Sequence, residues 1–296
     1  MSRHAQRGAA LVMAMLVVAV TATLVAGVFW RQGVLVQQAE NNLSYAQAKW
    51  LMRGAVDWAS VILSEDARAT SADHLGEPWA VPLAETRLNE GDGREPVYLA
   101  GEIRDEQAKL NLRNLAAPGG AAAEVEALAR LFGLLGLNPG LAGGVAQRVR
   151  DAVAEPGAEP RALGLASVDD LAGVQGIDAA AVERLRAFVT MLPQPTPVNA
   201  NTAPAEVLAA RIPNLSLPDA RRLAASRDRA HFRDRADVLN RVPELKLQAT
   251  DAEIAVTTRY FSVDGTVSYR RARLQARALL KREVRRVELL WMREAA

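Results

Sequence analysis

From residue 9 to residue 30 the chain carries no charged side chain. At about 1.5 Å of rise per residue this tract makes a helix of roughly 33 Å, long enough to cross a hydrocarbon core of about 30 Å. Arg3 and Arg7 precede it and Arg31 follows it. The basic residues before the tract predict a cytoplasmic N-terminus with the remaining chain facing outward, although Arg31 keeps the asymmetry modest. A removable secretory signal ends in small residues, and TATLVAG at residues 21–27 supplies some. The apolar run nevertheless continues through Val28, Phe29 and Trp30, as a retained anchor would. A less usual small residue is Gly8, placed between Arg7 and the tract. Glycine disfavours helix and would leave an accessible extended peptide at the membrane surface. A plain signal anchor, with Gly8 incidental, remains the alternative reading of this stretch.

The chain has 296 residues, enough for about two domains. Half the residues are hydrophobic and 24% are charged, so a packed core is expected, and few aromatics beside much Ala, Arg and Leu lean towards helix. The formal net charge of +2 gives no global field that would make nucleic acid the main partner. The absence of cysteine excludes disulfides, thiolate nucleophiles and Cys-ligated metals.

Beyond the apolar tract the helical pattern continues to about residue 64. Leu43, Trp50, Leu51, Gly54, Trp58, Val61 and Ile62 recur at helical spacing and predict a stripe that packs on a globular head. Residues 66–96 read as loops. Val97, Leu99 and Ile103 alternate with Tyr98, Glu102 and Arg104, predicting a half-buried strand. In DEQAKLNLRNL, residues 105–115, Asn111 and Asn114 are expected to bond nearby backbone as the chain leaves the sheet. Helices are predicted at 121–135, 141–153, 167–173, 178–191, 203–211, 217–229 and 235–241, punctuated by Gly136, Pro139, Pro156 and Pro193. Ser216 and Asp219 have capping-box spacing. Asp264-Gly265 lies between two runs rich in Val, Tyr, Phe and Thr, a strong hairpin signal. After it, Arg, Ala and Leu favour helix, whereas Leu274, Ala276, Ala278 and Leu280 alternate as in a strand.

No enzyme constellation is visible. His4, His74 and His231 are far apart in sequence, and there is no H-E-x-x-H, G-x-S-x-G or P-loop pattern. In LNEGDGRE, which contains Asn89, Glu90, Asp92 and Glu95, Glu90 and Asp92 are candidate calcium ligands set against a plain solvated loop.

VNANTAPAEVLAARIPNLSLPDARRLAASRDRAHF resembles helix-hairpin-helix DNA-binding repeats, as does LAGVQGIDAAAVERLRAFV. In such modules a glycine hairpin brings backbone N–H groups to a phosphate at a helix N-terminus. The second hairpin, IPNLS, has no glycine, and the first places Asp178 where the phosphate would sit. Arg221, Arg222, Arg227, Arg229, Arg233 and Arg235 alternate with Asp219, Asp228, Asp234 and Asp237, which reads as a solvated, salt-bridged face. A membrane-anchored DNA-uptake protein stands as the alternative function, and a signal-anchored periplasmic scaffold as a third.

The basic leader, Gly8 and apolar helix resemble the class III signal of type IV pilins and pseudopilins. The resemblance implies cutting by a prepilin peptidase between Gly8 and Ala9, retention of AALVMAMLVV and N-methylation of Ala9. Most of that family carries Glu at the fifth mature position, where this chain has Met13. The K-type minor pseudopilins of type II secretion are similar in lacking that Glu. They are also similar in the pattern from Asp105 through Lys109 to Asn111 and Asn114, and in the V-N-A-N-T-A segment with Asn199, Asn201 and Thr202. This resemblance implies an α+β fold: a leader (1–8), a long helix (9–64) and a pilin-like antiparallel sheet head (65–115 and 251–296). An all-α insert (116–250), SAM- or helix-hairpin-helix-like, interrupts the head, and residues 270 onward become strands. It further implies a single-pass inner-membrane protein with a periplasmic head and no catalysis, which starts pseudopilus assembly at the tip. The implied partners are the I and J minor pseudopilins, the major pseudopilin, the prepilin peptidase and the inner-membrane assembly platform, with no nucleic acid. No cofactor is required, although calcium occurs in some relatives.

Overall fold

The computed structural model describes residues 4–89, 95–117, 121–153, 160–241, 249–250, 253–284 and 286–295, with side chains from residue 9 onward, Ala121 excepted. The first element is one unbroken helix, α1 (His4–Ala69). It overruns the expected end at residue 64 by more than a turn. It also takes in Gly8, so the backbone expected to be extended there is helical.

The head is a five-stranded antiparallel sheet in the order β1-β2-β7-β8-β9. Its strands are β1 (Leu83–Arg87), β2 (Val97–Asp105), β7 (Tyr260–Tyr269), β8 (Ala272–Glu283) and β9 (Arg286–Glu294). Residues 66–96, read as loops, thus contain a strand. The two C-terminal segments are strands as the resemblance implied, and Leu274, Ala276, Ala278 and Leu280 all face α1 and are buried.

The Asp264-Gly265 hairpin expectation is wrong in place. Both residues lie inside β7, paired with Arg277 and Ala276. The strands turn instead at Arg270 and Arg271, between the paired Tyr269 and Ala272, with Arg270 at φ 52°. Gly265 serves close approach. It stands opposite Gly101 of β2, and a Cβ on it would sit 2.9 Å from Sδ of Met52 on α1. A turn dipeptide has therefore been used as a seat for the helix.

α1 lies on this sheet through Ala48, Met52, Val56, Ala59 and Leu63, spaced three or four residues apart and all buried. They meet Leu99, Phe261, Val263, Val267 and the inward face of β8. Each buried Met, Val or Leu contributes about 1.5–3 kcal/mol, while the two alanines let the helix backbone lie close.

Between β2 and β7 the chain forms the insert. Its helices are α2 (Ala121–Leu134), α3 (Leu141–Asp151), α4 (Ala179–Leu185), α5 (Ala205–Arg211), α6 (Leu217–Arg229) and α7 (Arg235–Asn240). Val168–Gly173 is a 3-10 turn capped by Ser167 and Asp170. Ser216 caps α6, as its spacing predicts. The segment 178–191 is helical only as far as Leu185. Val189–Thr190 (β4) then pairs in parallel with Leu110–Asn111 (β3). A second parallel pair joins Val198–Asn199 (β5) to Ile254–Ala255 (β6). The insert is therefore mostly, but not wholly, helical. The insert core draws in Leu110, Leu112, Leu115, Ile254 and Val256.

Candidate functional sites: anchor helix and buried joint

α1 is long and apolar enough to cross a membrane, and none of its apolar window is buried within the chain. Leu11, Val12, Met13, Met15, Leu16, Phe29 and Trp30 all stand more than 60% exposed. Met13 makes the fifth position after Gly8 apolar, so no carboxylate has to be satisfied in lipid there. Ala9 is exposed.

Past the apolar tract, the expected stripe does not do what its periodicity suggested. Leu51 and Ile62 pack against the head. Leu43, Trp50, Trp58 and Val61 instead point to solvent at 55%, 78%, 50% and 58% exposure. The sequence holds two apolar stripes on opposite sides of α1, and only the one through Ala48 and Met52 is covered. Two stripes about 180° apart were a readable signal; a single merged stripe concealed it.

At its far end α1 enters a buried polar joint. Arg282 of β8 bonds Asp66 in the last turn of α1 at 2.9 Å, and it pairs with Asp73 in the following loop. Its guanidinium also lies over the Phe261 ring at 4.8 Å. Burial pushes the Asp66 carboxyl up to about 6; Glu77 adds to the shift and Arg282 pulls against it. Burial raises Asp73 as well, again opposed by Arg282. Glu77 accepts from Thr70 Oγ1, His74 N and Trp79 Nε1. The carboxylate oxygens of Asp66, Asp73 and Glu77 gather within 4.8 Å. The cation among them is the guanidinium of Arg282.

The motif residues complete the joint. Asp105 Oδ2 accepts from Asn199 Nδ2 (2.9 Å), Thr202 Oγ1 (2.5 Å) and Thr258 Oγ1 (2.7 Å), and its Oδ1 accepts from Gln107 N (2.7 Å). Burial pushes this carboxyl up to about 6, and the hydrogen bonds hold it back. Asn199 also reaches Asp73 O and Thr258 Oγ1, while Asn201 is bonded both ways to the backbone of Phe232. Asn111 caps the turn through Arg113 N, as expected. It also binds Leu192 N, Gln194 O and Thr196 Oγ1, and Asn114 binds both backbone groups of Thr196. The motif thus clamps the distant loop between β4 and β5 as well as its own turn. Lys109 pairs with buried Glu106, which also accepts from Thr190 of β4.

The histidines are not all apart: His74 and His231 stack with ring centroids 4.1 Å apart, one from the loop after α1 and one from the insert. Glu90 and Asp92, the calcium candidates, lie outside the described residues; beside them Asn89 bonds Glu95 O and Val97 N and closes the loop neck. The helix N-termini that a DNA phosphate would need are already capped, α4 by Asp178 and α6 by Ser216. Gly176 does take a left-handed φ of 89°, but Asn214 takes that role in the second hairpin. Arg227 donates to Ala200 O and Ala203 O, and Arg235 to Ala249 O, so these arginines hold the insert together.

A membrane-length helix laid on an antiparallel sheet, with an added helical unit, defines a single-pass, pilin-like subunit. Two family models described as type II secretion system (T2SS), protein K match residues 198–257 and 108–194. Type II secretion system protein K of Klebsiella pneumoniae is 31% identical, with 95% of this chain and 94% of that one aligned. The protein of the same name from Pseudomonas aeruginosa is 29% identical over 90% of this chain and 86% of its own length. A chain in the crystal structure of the GspK–GspI–GspJ complex from the enterotoxigenic Escherichia coli type 2 secretion system superposes with a TM-score of 0.70. It is 22% identical and covers 88% of this chain and 99% of itself. The chain belongs to the type II secretion system protein K family, and is thus a minor pseudopilin of that system.

Proposed function

We propose that this chain is a non-enzymatic tip subunit that starts pseudopilus assembly together with the I and J minor pseudopilins. The observation that carries this reading is where the insert sits. Tyr45 and Lys49, low on α1, bond Glu294 at one end of the sheet. Asp66, at the top of α1, bonds Arg282 at the other end, where Asn199 of the insert joins Asp105. The insert therefore caps the end of the head farthest from the apolar tract, and a further subunit could not stack there. Met13 agrees, since a topmost subunit has no neighbour above for a glutamate to engage. The Escherichia coli relative occurs in a complex with GspI and GspJ, and the reading extends those partners to this chain.

On this reading the prepilin peptidase cuts after Gly8, Ala9 is N-methylated, and the helix stays in the inner membrane with the head in the periplasm. Assembly then proceeds on the inner-membrane platform with the major pseudopilin below. Two measurements test it. Intact mass of the membrane-extracted chain should show loss of residues 1–8 plus one methyl group; a cut after the apolar tract refutes it. Full chains co-expressed with I and J should co-purify in detergent; failure of both to do so removes the tip role.

A further inference from the structure

We propose that the end of the sheet beside the last turn of α1 is a docking site for an acidic, extended segment of a partner protein, with Arg259, Lys281 and Arg286 as its cations. The site goes beyond the tip reading and does not depend on it. A concavity of about 640 Å³ opens there, within the roughly 300–1,000 Å³ of ordinary ligand sites. Its wall holds four basic residues, Arg259, Lys281, Arg282 and Arg286, and one acidic residue, Glu283. They come from three pieces of chain: the residue before β7, the end of β8 and the start of β9. Ala67 of α1 borders the concavity, and among the described residues none between 116 and 250 does. The insert leaves it open.

The charges here are unevenly matched. Arg282, at the back, is neutralised by Asp66 and Asp73. Lys281 bonds Glu283 at 2.8 Å, and that bond is the first reason the Glu283 carboxyl sits below its ordinary value; Arg286 and Arg259 press on it too. Arg286 also reaches Glu288 at 3.2 Å. The Arg259 side chain makes no hydrogen bond or ion pair among the described residues. Three cations therefore share one carboxylate in the wall.

The backbone enforces this crowding. Arg282 N donates to Arg259 O at 2.7 Å, which continues the β7–β8 register and sets the two arginines opposite each other at the strand ends. Arg259 also repels the Lys281 ammonium. Like charges set opposite each other in a sheet cost stability, and an entering anion relieves that repulsion. Guanidinium forks take carboxylates through paired, parallel hydrogen bonds.

Shape selects a peptide over a membrane surface. A bilayer is flat and touches only the rim, whereas a chain carrying carboxylates reaches the floor. Val284, at the tip of the β8–β9 hairpin, is 97% exposed beside these cations and offers the segment an apolar contact. The occupant is an extended run of Asp or Glu with an apolar residue in it.

The test uses the full chain in detergent and a fluorescein-labelled oligoglutamate peptide carrying one leucine, read by anisotropy at low salt. The chain should bind the peptide, and binding should weaken as salt rises. Arg259 and Arg286 are exposed, so their replacement leaves the core alone. Arg259→Glu should weaken binding more than tenfold with thermal unfolding unchanged, and Arg286→Gln should weaken it severalfold. Arg233→Glu reverses a charge whose side chain is 83% exposed on the insert and should leave binding within twofold. Absence of binding overturns the proposal, and so does binding undiminished by Arg259→Glu. A loss with Arg233→Glu equal to that with Arg259→Glu overturns it too, since it marks diffuse attraction to a basic surface. Dihexanoylphosphatidylglycerol should not displace the peptide; displacement at equal concentration assigns the site to lipid headgroups and overturns the peptide reading.

Discussion

Asn199 donates its side-chain amide to Oδ2 of Asp105 at 2.9 Å, across the joint between insert and head. No salt-bridging cation accompanies this carboxylate among the described contacts; two hydroxyls, one amide and one backbone N–H carry it. Its pKa, raised by burial to about 6 from an ordinary 3.8, has a definite sign for stability. The protonated form is favoured in the fold. This group's contribution is therefore fully present below about pH 4 and is lost as pH rises through 6. Asp105→Asn removes that dependence but forfeits the Gln107 bond, at about 1–2 kcal/mol. Between pH 4.5 and 7.5 the variant should gain about 2 kcal/mol relative to the parent. Urea unfolding in detergent at the two pH values measures it, and parallel curves would contradict the assignment.

Arg282 holds two buried carboxylates at once. Arg282→Met leaves Asp66 and Asp73 without their cation and should cost about 3–5 kcal/mol at pH 7.5. Both carboxyls already sit above their ordinary value because of burial, so acidification to pH 5 protonates them and should recover part of the loss. A variant whose deficit is equal at both pH values would show that the carboxylates are solvated elsewhere.

Gly101 and Gly265 face each other beneath Met52, yet they should tolerate a methyl unequally. A Cβ on Gly101 meets the backbone oxygen of Asp264 at 2.8 Å, whereas one on Gly265 meets the end of a flexible thioether. Gly101→Ala should cost about 1–3 kcal/mol and Gly265→Ala less. Met52→Ala should offset part of the Gly265→Ala loss and none of the Gly101→Ala loss. Thermal unfolding of the single and double variants reads this coupling.

His74 should titrate below the ordinary histidine value. Burial is the first cause; Glu77 opposes it, the stacked His231 adds to it, and Asp73 opposes it. Its Nδ1 also accepts from Gly76 N at 3.1 Å, a bond that protonation breaks. A depressed histidine gives stability present above about pH 6.5 and lost as pH falls towards the folded-state value. His231→Phe keeps a ring in the stack and removes the like charge, so His74 should titrate higher in that variant. An NMR pH titration of the ring protons decides it, and an unchanged midpoint would exclude His231 as a cause.

Local pattern revealed the elements better than their pairings. Residues 217–229 gave α6 to the residue, because cap, periodicity and composition agree there. The alternation of Leu274, Ala276, Ala278 and Leu280 marked β8 despite strong helix formers, since burial against α1 overrides propensity. Asp264-Gly265 misled because the sequence does not show that Met52, far away in the chain, needs a glycine beneath it. The joint was hidden for the same reason: Asp66 and Arg282 are 216 residues apart. The V-N-A-N-T-A segment was legible as a family motif, but its bond to Asp105 was not. On α1, periodicity announced a helix and could not say which of two apolar sides met the sheet.

α1 also has a mechanical meaning. It extends about 100 Å with no proline along its length. Lys49 is tied to the C-terminal end of β9, and Asp66 to Arg282 near the C-terminal end of β8. A strut fastened at two heights to a sheet resists bending and twisting between them. Between Lys49 and Asp66 helix and sheet therefore move as one body, and a push along the axis at Lys49 is felt at the joint with the insert.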